Sequence, residues 1–352
     1  MKKSTFFLLA ICICVAASII IPSCKKTGDD IKYKPDKSKL SALIDSVNQL
    51  YNKAIEGTKP GFYEAGAKTT LKTSLDLAVQ VNTGDHYIQQ EVENSISNLN
   101  KALQLFSSGF IQEVSAGTLV ARWKLDGNAN DASGNDHSGM FKTGWVGSSS
   151  ATATDGATLP LPVTDPFNRP GLAYEFNNAA HIEVPYHASL NPKAFTISMW
   201  IKSYSTRDNN YLISLNRWNG YKLHVQKNTF LHMSFKADNG YQDMESNPGG
   251  IRENVWTFIA ISYSSGTMKF YVDNSLVKTA QVSGTPVTTS PVNLSIGNEL
   301  PKSVYKISEP NGPYGFSSGH FFTGALDDIR IYRNALKDAD VLAIYNFEKT
   351  LL

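Results

Sequence analysis

The sequence predicts a mainly β protein, an antiparallel β-sandwich preceded by a small three-helix bundle. Three observations predict it. From about residue 115 apolar residues alternate with polar ones, the period of a strand with one buried face. Between residues 37 and 107 they recur every three or four positions, the period of amphipathic helices. All three cysteines, Cys12, Cys14 and Cys24, stand near the start, so neither domain rests on disulfides, a Cys-ligated metal or a catalytic thiol. With 352 residues, 41% of them hydrophobic and 18% charged, the chain is long enough for two folded domains.

Taken in order, Met1-Lys2-Lys3 is a basic start, residues 6–21 are nearly all apolar, and Pro22-Ser23 lead to Cys24. The run is shorter than the about 20 residues that cross a bilayer. Its basic, apolar, small-residue order is that of a signal peptide, with an uncleaved anchor helix as the alternative. Ile21-Pro22-Ser23-Cys24 resembles a bacterial lipobox, with Pro22 where a small residue is commoner. The resemblance implies that residues 1–23 are removed and that Cys24 carries a lipid into the membrane. Removal takes Lys2 and Lys3 and no acid, so the net charge of +2 falls to zero, and nothing points to nucleic acid. Residues 24–36 then read as a polar, lipidated tether. Its Asp29-Asp30 resembles the export tag of surface-facing lipoproteins, which implies an outer-membrane protein facing the exterior. An ordinary solvated linker is the other reading.

Residues 37–108 form the bundle. Leu40, Leu43, Ile44, Val47, Leu50, Tyr51 and Ala54 make one stripe, stopped by Gly57 and Pro60-Gly61. Leu71, Leu75 and Ala78 make a second; Val92, Ile96, Leu99, Leu103 and Phe106 a third, with the Thr83-Gly84-Asp85 break supplying its N-cap. The stretch 56–63 and its flanking helices resemble FIVAR-like bundles found beside sugar-binding modules, which implies a spacer. After a linker at 109–117, the strand-rich domain occupies 118–347.

In that domain Trp123-Lys124-Leu125-Asp126-Gly127-Asn128 leads to Asp131-Ala132-Ser133-Gly134-Asn135. Phe195-Thr196-Ile197-Ser198-Met199-Trp200-Ile201, Val255-Trp256-Thr257-Phe258 and Phe270-Tyr271-Val272-Asp273 follow. Ser295-Ile296-Gly297 comes next, then Phe322-Thr323-Gly324-Ala325-Leu326-Asp327-Asp328-Ile329-Arg330-Ile331-Tyr332. In that order they resemble the laminin-G type of concanavalin A-like lectin/glucanase domain, which implies a jelly roll. The segment 145–170 departs from the family's spacing as a Ser/Thr/Ala/Pro-rich insertion and is expected to be a surface loop.

The resemblance also implies a structural calcium ion (Ca2+) joining the first and last strands. The run from Asp126 to Asp136 is rich in hard oxygen donors, although it fails as an EF-hand: Asp131 stands where Gly is needed and His137 where Glu is needed. Strand parity with Ile329 and Ile331 places Asp327 inward, so Asp126, Asp131 and Asp327 are the expected ligands. The alternative is an Asn/Asp-rich turn held by its own hydrogen bonds.

A ligand face is expected on one hairpin, with an ordinary solvated sheet face as the alternative. Matching apolar faces across Lys227-Asn228-Thr229 pairs Val225 with Leu231 and Leu223 with Met233, which sets His224 opposite His232 on the other face. With Asn216, Arg217, Trp218, Tyr241 and Tyr314 nearby in sequence or loop, this is a mixture suited to sugars. Aromatic rings take the C–H face of a sugar, and amide, imidazole and guanidinium groups take its hydroxyls.

For catalysis, Asp243 and Glu245 share one strand face but lack the Glu-x-Asp-x-x-Glu pattern of glucanases that share the jelly roll. Gly315-Phe316-Ser317-Ser318-Gly319 fits G-x-S-x-G without the strand and helix that motif needs. The expectation is a surface lipoprotein that binds glycan or polysaccharide without cutting it, possible partner proteins being those of a glycan-uptake system. A glycoside hydrolase or lyase using Asp243 and Glu245, and a protein-binding adhesion module, are the rivals.

Overall fold

A computed structural model describes residues 34–57, 61–287, 291–316 and 319–349. The signal segment, Cys24, most of the tether, residues 58–60, and Ser317 and Ser318 lie outside the described residues. Three helices come first: α1 (Ser38–Lys53), α2 (Ala67–Thr83) and α3 (Gln89–Ser108). Their stripes meet in a core of their own, with Leu40, Ile44 and Val47 against Leu71, Leu75, Ala78, Val92, Leu99 and Phe106. Tyr63 stacks on Phe106 at 4.0 Å between ring centroids, pinning the α1–α2 connection to the end of α3. The start of α3 differs from expectation. Ile88, not a residue of the Thr83-Gly84-Asp85 break, holds the cap position, and the Glu91 carboxylate accepts its N–H at 2.9 Å. A carboxylate three residues into a helix satisfies an orphan donor, so no cap side chain is needed upstream.

Among the described residues two antiparallel sheets pack face to face in the sandwich that the alternation predicts, a jelly roll as the resemblance implies. One sheet runs Ser275–Gln281, Thr267–Val272, Thr257–Ser264, Phe195–Ser203, Gly324–Tyr332, Ala173–Phe176 and Leu161–Val163, with Leu119–Trp123 also paired to Gly324–Tyr332. The other runs Gly240–Glu245, Phe230–Ala237, Tyr221–Gln226, Asn210–Leu215, Leu294–Ile296, His181–Val184 and Met140–Lys142. Ile197, Met199, Ile201, Ile329 and Ile331 from the first meet Leu223, Val225, Leu231 and Met233 from the second.

The outer face of the first sheet is covered as well. Helix α4 (Asp338–Lys349) lays Val341, Ile344 and Tyr345 against Trp200, Phe258 and Tyr332. Strand Gly324–Tyr332 is therefore buried along its whole length, and its polar outer positions must pair with one another. They do so where the first and last strands meet. Arg122 lies opposite Arg330, and Asp328 takes both, at 2.8 Å from Arg122 Nε and 2.5 Å from Arg330 Nη1. Glu113, from the segment leading into the sandwich, adds a second carboxylate to the same two guanidinium groups.

The segment 145–170 is more than the expected surface loop. It forms a hairpin, Trp145–Val146 with Thr154–Asp155, and the edge strand Leu161–Val163. The hairpin packs on a satellite core of Leu300, Tyr305 and Phe316, with Trp145 Nε1 donating to Lys302 O at 3.2 Å. Trp145 anchors the hairpin, and further along the segment the buried Phe167 packs edge-on against Trp200.

Candidate ligand-binding face

The expected cation ligands are not gathered. Asp131 spends both oxygens on its own turn: Oδ1 accepts from the N–H groups of Arg122 and Ser133, and Oδ2 from His137 N–H and Ser133 Oγ, all at 2.8–3.0 Å. Burial alone would raise its pKa, but those backbone donors outweigh it and hold the carboxyl below the usual range. Asp126 pairs with Lys124 at 3.1 Å near the surface. Asp327 is placed by a bulge that parity could not foresee. Between Asp327 and Arg330 the pairing with Phe195–Ser203 slips by one residue, with Asp328 left-handed at φ 45°. Leu326 and Ile329 then both face the core, while Asp327 lies opposite Trp200 on the outer face and accepts Asp328 N–H at 2.9 Å.

Among the described residues no group of three or more His, Cys, Asp or Glu side chains could hold a metal ion. Asp126, Asp131 and Asp327 are thus not brought together around one point, and Arg122, Asp328, Arg330 and Glu113 join the first and last strands by charge. EDTA is accordingly expected to leave the melting temperature within about 1 °C of its value in added calcium. A fall of several degrees would reveal a cation held by other donors, since a bound ion stabilises by mass action.

The hairpin register is the expected one. Val225 pairs with Leu231, Leu223 with Met233, His224 with His232 and Lys222 with Ser234. Edge strand Gly240–Glu245 adds Glu245 beside His232 and Asp243 beside Ser234 on the same face. Asp243 Oδ1 lies 3.0 Å from His232 Nε2 and accepts Ser234 Oγ at 2.6 Å; Glu245 Oε1 lies 3.2 Å from His232 Nδ1. The two carboxylates therefore bracket one imidazole, and each keeps a half-exposed side chain at the rim.

Inward from that rim the face closes. His224 is 1% exposed, stacked between Tyr211 (centroids 4.7 Å, 9° between planes) and His232 (4.6 Å), with no hydrogen-bond partner at either ring nitrogen. Burial, reinforced by the nearby His232, Lys222 and His320, drives its pKa down to about 2. Lys222 is buried too, and burial brings it down to about 8 against the pull of Glu299 and Asp243. Its ammonium donates to Tyr211 Oη at 3.1 Å and sits 3.4 Å from the centre of the Trp218 ring. Trp218 itself is 46% exposed and lies 5.1 Å from Tyr241, ring to ring.

The remaining expected ligand residues do other work. Asn216 and Arg217 are both left-handed, at φ 53° and 51°, a conformation that Asn tolerates but that costs Arg about 1–2 kcal/mol. They turn Trp218 outward, and a clasp holds them there. Asn216 Oδ1 accepts Tyr314 Oη at 3.1 Å; Arg217 pairs with Glu299 at 3.0 Å and donates to Gly315 O at 3.1 Å. Glu299 is 1% exposed and also meets Tyr305 Oη and His320 Nδ1, each at 3.3 Å. Burial would raise its pKa, but the hydrogen bond from His320 and the charge of Arg217 keep it lowered. Asn216, Arg217 and Tyr314 thus fasten a loop over the sheet, while Trp218, Tyr241 and His232 line the open rim. Tyr211, Lys222, Glu299 and His320 adjoin this face, and sequence reasoning did not assign them to it. Only Lys222 had a local signal, being two residues from His224 on the same strand face.

Residues 176–342 match the family model described as the concanavalin A-like lectin/glucanases superfamily, of laminin-G type. A relative, adhesion G-protein coupled receptor V1 of Danio rerio, is 24% identical over 162 residues, which is 43% of this chain. The match spans 2% of that receptor's length. Among solved structures, domain 4 of AbnA, a GH43 extracellular arabinanase from Geobacillus stearothermophilus, in complex with arabinotriose, is 18% identical with a TM-score of 0.46. That likeness covers 65% of this chain and 98% of the other. The binding domain of botulinum neurotoxin serotype D is 15% identical with a TM-score of 0.45, over 66% of this chain and 52% of the other.

Proposed function

We propose that the chain is a carbohydrate-binding surface lipoprotein, anchored through Cys24 in the outer membrane, whose jelly roll holds glycan without cutting it. The observation that carries this reading is the rim itself. Trp218 is half-exposed just after the left-handed Asn216 and Arg217, next to Tyr241 and to two carboxylates able to accept sugar hydroxyls. An apolar ring beside charged acceptors is what a sugar needs, because its C–H face packs on the ring while its hydroxyls donate. Non-catalytic binding is favoured because Asp243 and Glu245 do not face each other across a cleft. His232 stands between them, and both belong to an exposed edge strand. Glycosidic hydrolysis needs an acid and a base on either side of one bond. The helical bundle is the spacer in this reading, and proteins of a glycan-uptake system are the proposed partners.

The test is a glycan-array screen of the chain from Lys25 onward, which keeps every described residue. At least one glycan is expected to bind and to remain uncleaved. Trp218→Ala is expected to weaken that binding about five- to thirtyfold, as the loss of one stacking platform costs about 1–2 kcal/mol. No glycan bound by the unmutated chain would end the reading. Unchanged affinity in Trp218→Ala would move the site elsewhere.

A further inference from the structure

The polar face of the second sheet is open at one side and walled at the other. On strand Gly240–Glu245 the side chains of Asp243 and Glu245 are 51% exposed. One strand inward His232 keeps 14% of its side chain exposed, and beyond it His224, Tyr211, Ser214 and Ser295 on the same face are at most 1% exposed. Over Tyr211 lies the loop of residues 299–316 and 319–321. His320 of that loop stacks on Tyr211 at 5.7 Å, and Glu299 and Gly315 fasten it to Arg217. The hairpin of the 145–170 insertion stands behind this wall, with Ser150 Oγ donating to Phe316 O at 2.6 Å. A groove across a sheet of this kind would let a long chain lie through it; here the passage stops after about two strands, roughly 10 Å.

We infer that the site takes the end of a glycan chain, one or two sugar rings, and excludes internal segments of a polysaccharide. The inference rests on the carbohydrate-binding reading above and adds the class of ligand. His224 is consistent with a terminus meeting the wall: a buried imidazole with both nitrogens unpartnered lies at the closed end of the open strip. The insertion then has a role as the buttress that makes recognition end-on.

Isothermal titration of the chain from Lys25 onward tests this. The probes are disaccharides and hexasaccharides of cellulose, xylan, mannan, arabinan and amylose, with α-cyclodextrin as an amylose hexamer that has no ends. For every series that binds, disaccharide and hexasaccharide affinities are expected to agree within about threefold. If amylose is the series bound, the cyclic hexamer is expected not to bind. A hexasaccharide at least tenfold tighter than its disaccharide, or binding of the cyclic hexamer, would overturn end-on recognition while leaving the carbohydrate-binding reading intact. No binding by any probe or by any array glycan would overturn both.

Discussion

Asp328→Asn is expected to destabilise the jelly roll by about 3–5 kcal/mol, the cost of removing one partner from a buried ion pair. The reason lies in charge balance. Arg122, Arg330, Asp328 and Glu113 form two opposite pairs on the outer face of the first sheet, and the Arg122, Arg330 and Asp328 side chains are at most 9% exposed. Neutralising Asp328 removes a buried carboxylate with which both guanidinium groups pair. Asparagine is the informative replacement because Asp328 is left-handed at φ 45°, a conformation that Asn tolerates and Ala does not. The charge is then removed with little backbone cost. Thermal unfolding should show a melting temperature lower by about 10 °C. A shift of 2 °C or less would mean that water or rearrangement compensates the arginines. Because this cluster bridges the first and last strands, the variant also tests whether protein charges close the sandwich where a calcium ion was expected.

Legibility in the sequence followed the range of the interactions. The three helical stripes and the hairpin register could be read because each depends on residues within a few positions, and one slipped residue would turn every apolar side chain to water. Asp327 was misplaced because parity assumes an unbroken strand, and one bulged residue reverses it. Arg217 and Asn216 were read as ligand donors because they neighbour Trp218. Their partners Glu299, Gly315 and Tyr314 lie in a distant loop that no local pattern ties to them. The same holds for α4. Its Val341, Ile344 and Tyr345 have helical spacing, but nothing local says that the face they cover is the outer side of a sheet.

Acidification from pH 6.5 to 4.5 is expected to lower the unfolding free energy by about 2–3 kcal/mol through His224 alone. The sign follows from its folded pKa of about 2 against an ordinary 6.5. Between those values the unfolded chain binds a proton that the folded chain refuses. Stability is therefore complete above pH 6.5 and declines by about 1.4 kcal/mol per unit as the pH falls below it. His137, also lowered by burial, adds a slope of the same sign. The lowered carboxyls of Glu299 and Asp131 add theirs only at more acid pH, because their stabilisation is lost as pH falls through their folded pKa values. Urea titrations of His224→Phe at pH 6.5 and 4.5 isolate the effect. Phenylalanine keeps the ring between Tyr211 and His232 and removes two buried nitrogens that lack partners, so this variant should be at least as stable at pH 6.5. It should also lose most of the acid sensitivity. A variant that kept the full acid slope would place the refused proton on another group. A variant more stable than the unmutated chain would show that the imidazole is held at a cost to the fold, as expected of a group kept for binding rather than for packing.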